Sequence, residues 1–220
     1  MSGDLRLIGT TQSNGGKFGR VKIVGENELA GRTECESFAC TGTSRIKGDL
    51  EAGSVKLTGE LRVEGRLALR RGTMTGEADI RGNCRGEHLK MTGQLKVQGD
   101  LECETCRISG AATVGGLISA ERVELRMHGP SEAKEIGGGT ITVKPSRVLS
   151  IKRMFAAGYA GGLTADLIEG DRLDLEYTNA RVVRGNQVRI GPGCTIGRVE
   201  YRGSLNRSKS ATIGEEEKID

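Results

Sequence analysis

Residues 55–63 read VKLTGELRV, residues 72–80 GTMTGEADI, residues 89–97 LKMTGQLKV and residues 106–114 CRISGAATV. Each block begins 17 residues after the one before. Each places a hydroxyl and a glycine at the same two positions, and an apolar residue at the third, seventh and ninth. Working outward from these blocks, glycine occupies positions 25, 42, 59, 76, 93 and 110, and in a second register 31, 48, 65, 82, 99 and 116. A fixed period of this size is the signature of a stacked repeat.

Apolar residues keep the same period. One column reads Ile23, Cys40, Leu57, Met74, Met91, Ile108 and Leu125, and a second Leu29, Ile46, Val63, Ile80, Val97 and Val114. A third reads Thr33, Leu50, Leu67, Cys84, Leu101 and Ile118. Many have an apolar partner two residues away, which is strand alternation with one face buried, and no stretch carries helical spacing. Three short strands per 17-residue turn predict an all-β, right-handed, three-sided parallel β-helix with glycine at its corners. Outside the core, Thr41, Thr58, Thr75, Thr92 and Ser109 form a hydroxyl ladder. Arg32, Asp49, Arg66, Asn83 and Asp100 form a column of mixed sign, so neighbouring turns should attract.

The period predicts where regular structure stops. Residues 1–20 read as a cap or tail, with Leu5 and Leu7 in a cap strand, and residues 21–144 as the main β-helix with one residue inserted near His128, Gly129 and Pro130. Residues 145–162 read as an irregular insertion, 163–206 as further turns, and 207–220 as a disordered charged tail.

Composition narrows the function. The 220 residues hold 35 Gly, 3 Pro and no Trp, and aromatics are 3%, so the core must be aliphatic and narrow. The 33 basic and 29 acidic residues are interspersed rather than gathered into a patch, which argues against nucleic-acid binding. No apolar run resembles a signal peptide or a membrane span, so a soluble cytoplasmic protein with reduced thiols is expected. Cys103 and Cys106 form a CxxC, but their register, like that of Cys40 and Cys84, puts them in inward columns, as small core residues rather than metal ligands. His88 and His128 have no nucleophile at a readable spacing, and Gly137–Gly139 lack the Lys-Ser/Thr of a phosphate loop. No catalytic residue, cofactor or metal is expected. Around Arg147, the segment 148–155 joins large apolar residues to Lys152, Arg153 and Phe155, a candidate membrane contact.

These features resemble the bactofilins, polymer-forming cytoskeletal proteins of bacteria. The resemblance rests on the Gly-punctuated 17-residue period and on the C-terminal runs IEGD (168–171), ARVVRGN (180–186) and IGPGC (190–194), which look like the longer relatives from Bacillus-like bacteria. It implies nucleotide-independent assembly, end to end, into filaments without polarity that serve cell shape, envelope-protein positioning or motility. It also implies a homopolymer partner, with a second bactofilin, a membrane surface or envelope proteins as further partners. The unpaired ends of a β-helix supply a physical route to such assembly. Val21, Ile23 and Leu29 are expected near one end, and Ile196, Val199 and Tyr201 near the other. The competing readings are a monomeric adaptor that binds envelope partners along its flat faces, and a β-helix acyltransferase. For the latter, Ile190-Gly191 and Ile196-Gly197 have a six-residue spacing, but a catalytic histidine is lacking.

Overall fold

In a computed structural model of the chain, which describes residues 3–146 and 162–220, ten strands form one continuous sheet in sequence order, each parallel to its neighbours. The strands are β1 (Leu5–Ile46), β2 (Leu50–Val63), β3 (Leu67–Ile80), β4 (Cys84–Val97), β5 (Leu101–Met127), β6 (Ser131–Pro145), β7 (Leu163–Leu175), β8 (Thr178–Ile190), β9 (Thr195–Arg207) and β10 (Thr212–Lys218). From β1 to β5 the register is 17: Thr33 pairs with Leu50, Leu50 with Leu67, Leu67 with Cys84, and Cys84 with Leu101. Val63 and Ile80 are vertical neighbours. The chain is a β-solenoid.

Alternation decides what each turn buries. In β2 the inward pairs are Leu50 and Ala52, Val55 and Leu57, and Leu61 and Val63, separated by exposed or half-exposed residues. Three such pairs per turn give three sides, and stacking merges them into one core that runs through the described turns. Each parallel ladder satisfies the backbone of the turn beneath it, so a segment too short to fold alone is held by its neighbours.

The two glycine columns work differently. Gly25, Gly42, Gly59, Gly76, Gly93 and Gly110 all have φ between +111° and +152°, a region that side chains rarely adopt. In the second column only Gly31 has a positive φ. There the need is space. Asp49 Oδ1 accepts the backbone N–H of Arg66 at 2.8 Å, Asn83 Oδ1 that of Asp100 at 3.1 Å, and Asp100 Oδ1 that of Leu117 at 2.9 Å. A Cβ on Gly65, Gly99 or Gly116 would overlap that same side-chain oxygen. The mixed-sign column therefore does more than attract: its Asp and Asn side chains close each corner onto the next. The Arg66 guanidinium, bonded to Asp49, also holds that carboxyl below the usual carboxylate range.

Four departures from the sequence reading have physical causes. First, residues 5–20 are a complete turn rather than a cap strand or tail. Gly9 lies beneath Gly25, Asn27 donates to Thr11, and Lys17 pairs with Glu34, so Leu5 and Leu7 stand below Val21 and Ile23. Its polar residues had disguised it. Second, the excursion near His128, Gly129 and Pro130 holds two extra residues, since Val114 pairs with Ala133. One is recovered at the next corner, where Leu117 pairs with Glu135.

Third, residues 207–220 are not a disordered tail. β10 pairs with β9 from Thr212 to Lys218. The acidic run of Glu215, Glu216 and Glu217 meets Arg198 and Arg207, which offset part of its charge, and Ile213 packs on the core. Fourth, the later turns are shorter. Leu163 pairs with Thr178, a step of 15, and Asn179 with Thr195, a step of 16. The second stretch stacks directly on the first, since β6 pairs with β7 across the interruption. Lys152, Arg153 and Phe155 lie outside the described residues.

The N-terminal core is more polar than the rest. Thr33 and Ser44 are fully buried in inward columns, and neither hydroxyl has a hydrogen-bond partner among the described residues. A buried hydroxyl without a partner costs free energy that an isosteric methyl does not. Thr33→Val is therefore expected to raise stability by about 1 kcal/mol. Urea denaturation followed by circular dichroism checks this, and an unchanged midpoint would contradict it.

Candidate functional site

The flanks of the solenoid are flat and ion-paired. Arg85 meets Glu102 at 2.7 Å, Lys47 meets Glu28 at 2.7 Å, and Arg189 meets Asp174 at 2.8 Å, each joining successive turns. Exposed pairs of this kind contribute some tenths of a kcal/mol each. His88 is exposed. His128, also exposed, places Nε2 3.3 Å from the Ser109 hydroxyl on an open face. An open groove of about 1150 Å³ follows one corner up the first turns, floored by Phe18, Cys35, Ala52, Leu69 and Gly86.

The cysteines divide by depth. Burial pushes the Cys35 and Cys40 thiols up to about 11, and raises Cys84 as well. Cys103 is half-buried at a corner, and a hydrogen bond with the Cys106 thiol holds it below its ordinary value while raising Cys106. The thiolate is the reactive form. Cys103 is therefore expected to be the first thiol alkylated in the folded protein, read by peptide mass spectrometry after a short iodoacetamide pulse. Earlier labelling of Cys84 or Cys106 would contradict the placement. Among the described residues no group of three or more His, Cys, Asp or Glu is arranged to hold a metal ion, and no helix is long and apolar enough to cross a membrane.

The two mouths of the solenoid differ from the flanks, and from each other. Val21, Ile23 and Leu29 are 1%, 1% and 0% exposed, and Ile196 and Val199 are 1% and 0%. These residues, with half-buried Tyr201, lie one turn inside the ends rather than at them. β10 covers Ile196 with Ile213, Val199 with Glu216 and Tyr201 with Lys218, while the turn of Leu5 and Leu7 covers the others. The sequence reading missed the true edges because it ended the solenoid too early at both ends.

At the N-terminal mouth, Leu5, Leu7 and Phe18 are only partly buried against the core, with Thr11 and Ser13 between them. Beside this mouth are the two exposed large hydrophobic side chains among the described residues, Ile8 at 58% and Val24 at 39%. They sit one above the other and continue the file of Thr41 and Thr58 toward the N-terminal edge. The C-terminal mouth is partly closed by half-buried Leu205 and Ile213, but two of its inward columns end in charge. Arg207 pairs with Ile190, in the file of Leu175 and Val143. Glu216 pairs with Val199, in the file of Val183 and Ile168. Arg207 and Glu216 form an ion pair with each other.

A parallel sheet wound into a solenoid with a solid aliphatic core, flat charged sides and two unlike mouths defines the class as a β-solenoid structural repeat protein. The chain belongs to the same family as the Bacillus subtilis (strain 168) protein named "Uncharacterized protein YhbF". The two are 54% identical over 99% of this chain and 97% of that one. A second protein of that organism, "Uncharacterized protein YhbE", is 39% identical over 44% of this chain and 40% of its own length. No family model matches the chain, and no solved structure matches it.

Proposed function

We propose that this chain is a non-enzymatic scaffold that works by end-on association with copies of itself, the kind of contact from which the bactofilin resemblance would build its assemblies. The observation that carries this reading is the N-terminal mouth. There an edge of the sheet and the apolar side chains of Leu5, Leu7 and Phe18 meet solvent together. Association pairs the strand edge and removes apolar surface from water, and both effects favour the assembled state. The ion-paired flanks and their shallow relief suit a spacer rather than a reaction vessel. In the cell such a scaffold would support cell shape, envelope-protein positioning or motility from the cytoplasm, with a second chain of the same build, envelope proteins or a membrane surface as further partners.

Sedimentation velocity over a concentration series tests this directly. A mass above the monomer's 23.4 kDa, rising with concentration and indifferent to added nucleotide, is expected. A monomer at every concentration would contradict it. That result would favour the second reading, an adaptor that takes a partner along the corner groove floored by Phe18, Cys35, Ala52 and Leu69.

A further inference from the structure

The two mouths are built for opposite outcomes. In the described turns before the last the inward columns are uncharged, mostly aliphatic with Asn27, Thr33, Phe38 and Ser44 among them, and in the last turn two of these columns hold Arg207 and Glu216. A charge at an inward position of an edge strand is a recognised device against further pairing, because another strand laid on it would strip the charge of water. The pair spans two inward columns and leaves both side chains partly hydrated, Arg207 at 61% and Glu216 at 34% exposure. β10 reinforces it with Glu215 and Glu217 on its outer face. Among the described residues nothing comparable guards the N-terminal mouth, where the inward positions are Leu5, Leu7, Thr11, Ser13, Gly16 and Phe18.

We propose that assembly is one-ended: two copies join mouth to mouth through the Leu5–Arg20 turn, about a two-fold axis, and the Arg207–Glu216 pair stops growth at the dimer. The inference rests on the self-association reading and narrows it. The occupant is a second copy of this chain because the edge is three-sided, and its best match in outline is the same edge turned over. A two-fold axis makes the facing strands antiparallel, a pairing at least as good as the parallel one. Ile8 and Val24 then lie beside the seam, where the partner's rim shields them.

Head-to-tail stacking is the competing geometry. It would carry the register on, setting Glu217 in the file of Lys17 and Glu34. That exposed pair is weak compared with the cost of burying Arg207 and Glu216 beneath Leu7 and Gly16. The two geometries also respond oppositely to salt. Arg6, Lys17 and Arg20 outnumber Asp4 on the first rim, so two such rims repel, and screening strengthens the mouth-to-mouth dimer. A head-to-tail polymer joins a basic rim to an acidic one and weakens.

The experiment uses the full chain in sedimentation velocity and negative-stain microscopy at low and high NaCl. The wild type is expected to stop at a dimer that tightens with salt. Ile8→Glu, at an exposed position that the fold does not need, is expected to shift it to monomer with its circular dichroism unchanged. R207L/E216V removes the charges and is expected to extend the dimer into filaments. Wild-type filaments, assembly that weakens with salt, or an R207L/E216V variant that stays dimeric while folded would each overturn one-ended assembly and leave self-association standing. A wild type that is monomeric throughout would remove both.

Discussion

Replacing Gly76 with alanine is expected to cost the solenoid about 3 kcal/mol, from a strained backbone and a blocked turn together. Gly76 has φ +119°, and a Cβ built on it would overlap the carbonyl oxygen of Gly59, with the carbonyl carbon at 2.9 Å. That carbonyl belongs to the backbone of the turn below, so no side chain can swing aside to make room. The substituted turn must lift, and the turns above must follow. Gly129→Ala is the internal control. Its Cβ would meet only the Ala111 methyl at 3.9 Å, with φ outside the positive region. There the gain from a stiffer unfolded chain should appear as about 0.5 kcal/mol of added stability. Equal losses at the two sites in urea denaturation would show that the corner geometry is misassigned.

Ile80→Asp is expected to be larger still, about 4 kcal/mol or more, enough to abolish the cooperative transition in a protein of ordinary stability. Ile80 is 0% exposed, stands between Val63 and Val97, and has nothing to neutralise a carboxylate at that height. The next residue, Arg81, is exposed, and Arg81→Asp should change stability by no more than about 0.5 kcal/mol. The contrast between adjacent positions tests the alternation on which the core depends. Thermal melts of the two variants by circular dichroism read it, and similar melting points would contradict it.

The middle of the molecule was legible in the sequence because every signal there repeats. Ile80, Val97 and Val114 announce one inward file through sheer recurrence, and the structure pairs them in that register. Recurrence fails at the ends, where the pattern must change because there is only one neighbour to pack against. Leu5 and Leu7 sit in a turn filled out with Thr, Ser, Asn and Gly, and so read as a cap. Glu215, Glu216 and Glu217 read as a solvated tail because their partners lie 9 to 19 residues back, Arg198 on the preceding turn and Arg207 on an earlier side of the same one. The signal that could have recovered the last turn was present. Ile213 follows Ile196 by 17, and Arg207 and Glu216 fall in the files of Ile190 and Val199 at the same interval. Charge at a core position reads as a break in a repeat, when it is here the terminus of one.

The second glycine column was legible as a pattern and misread as a cause. Its spacing suggests strained corners, but Gly65, Gly99 and Gly116 are small so that Asp49, Asn83 and Asp100 can reach the backbone of the following turn. A single residue cannot show that kind of dependence, which belongs to a pair 16 or 17 apart. The candidate site was hidden for the same reason. The mouths are defined by which residues have no described turn beyond them, and that is known only once the turns are counted.

Each residue in the regular turns stands above the one 17 places earlier, and the placing of Arg207 and Glu216 on the core files depends on that vertical order. Spin labels on Thr41→Cys and Ser109→Cys, in a Cys103→Ala background, measure it by double electron–electron resonance. Four turns of about 4.8 Å predict a label separation centred near about 19 Å, although the two sites are 68 positions apart in the sequence. A distribution centred beyond about 30 Å would mean that the turns do not stack in this register, and would contradict the account.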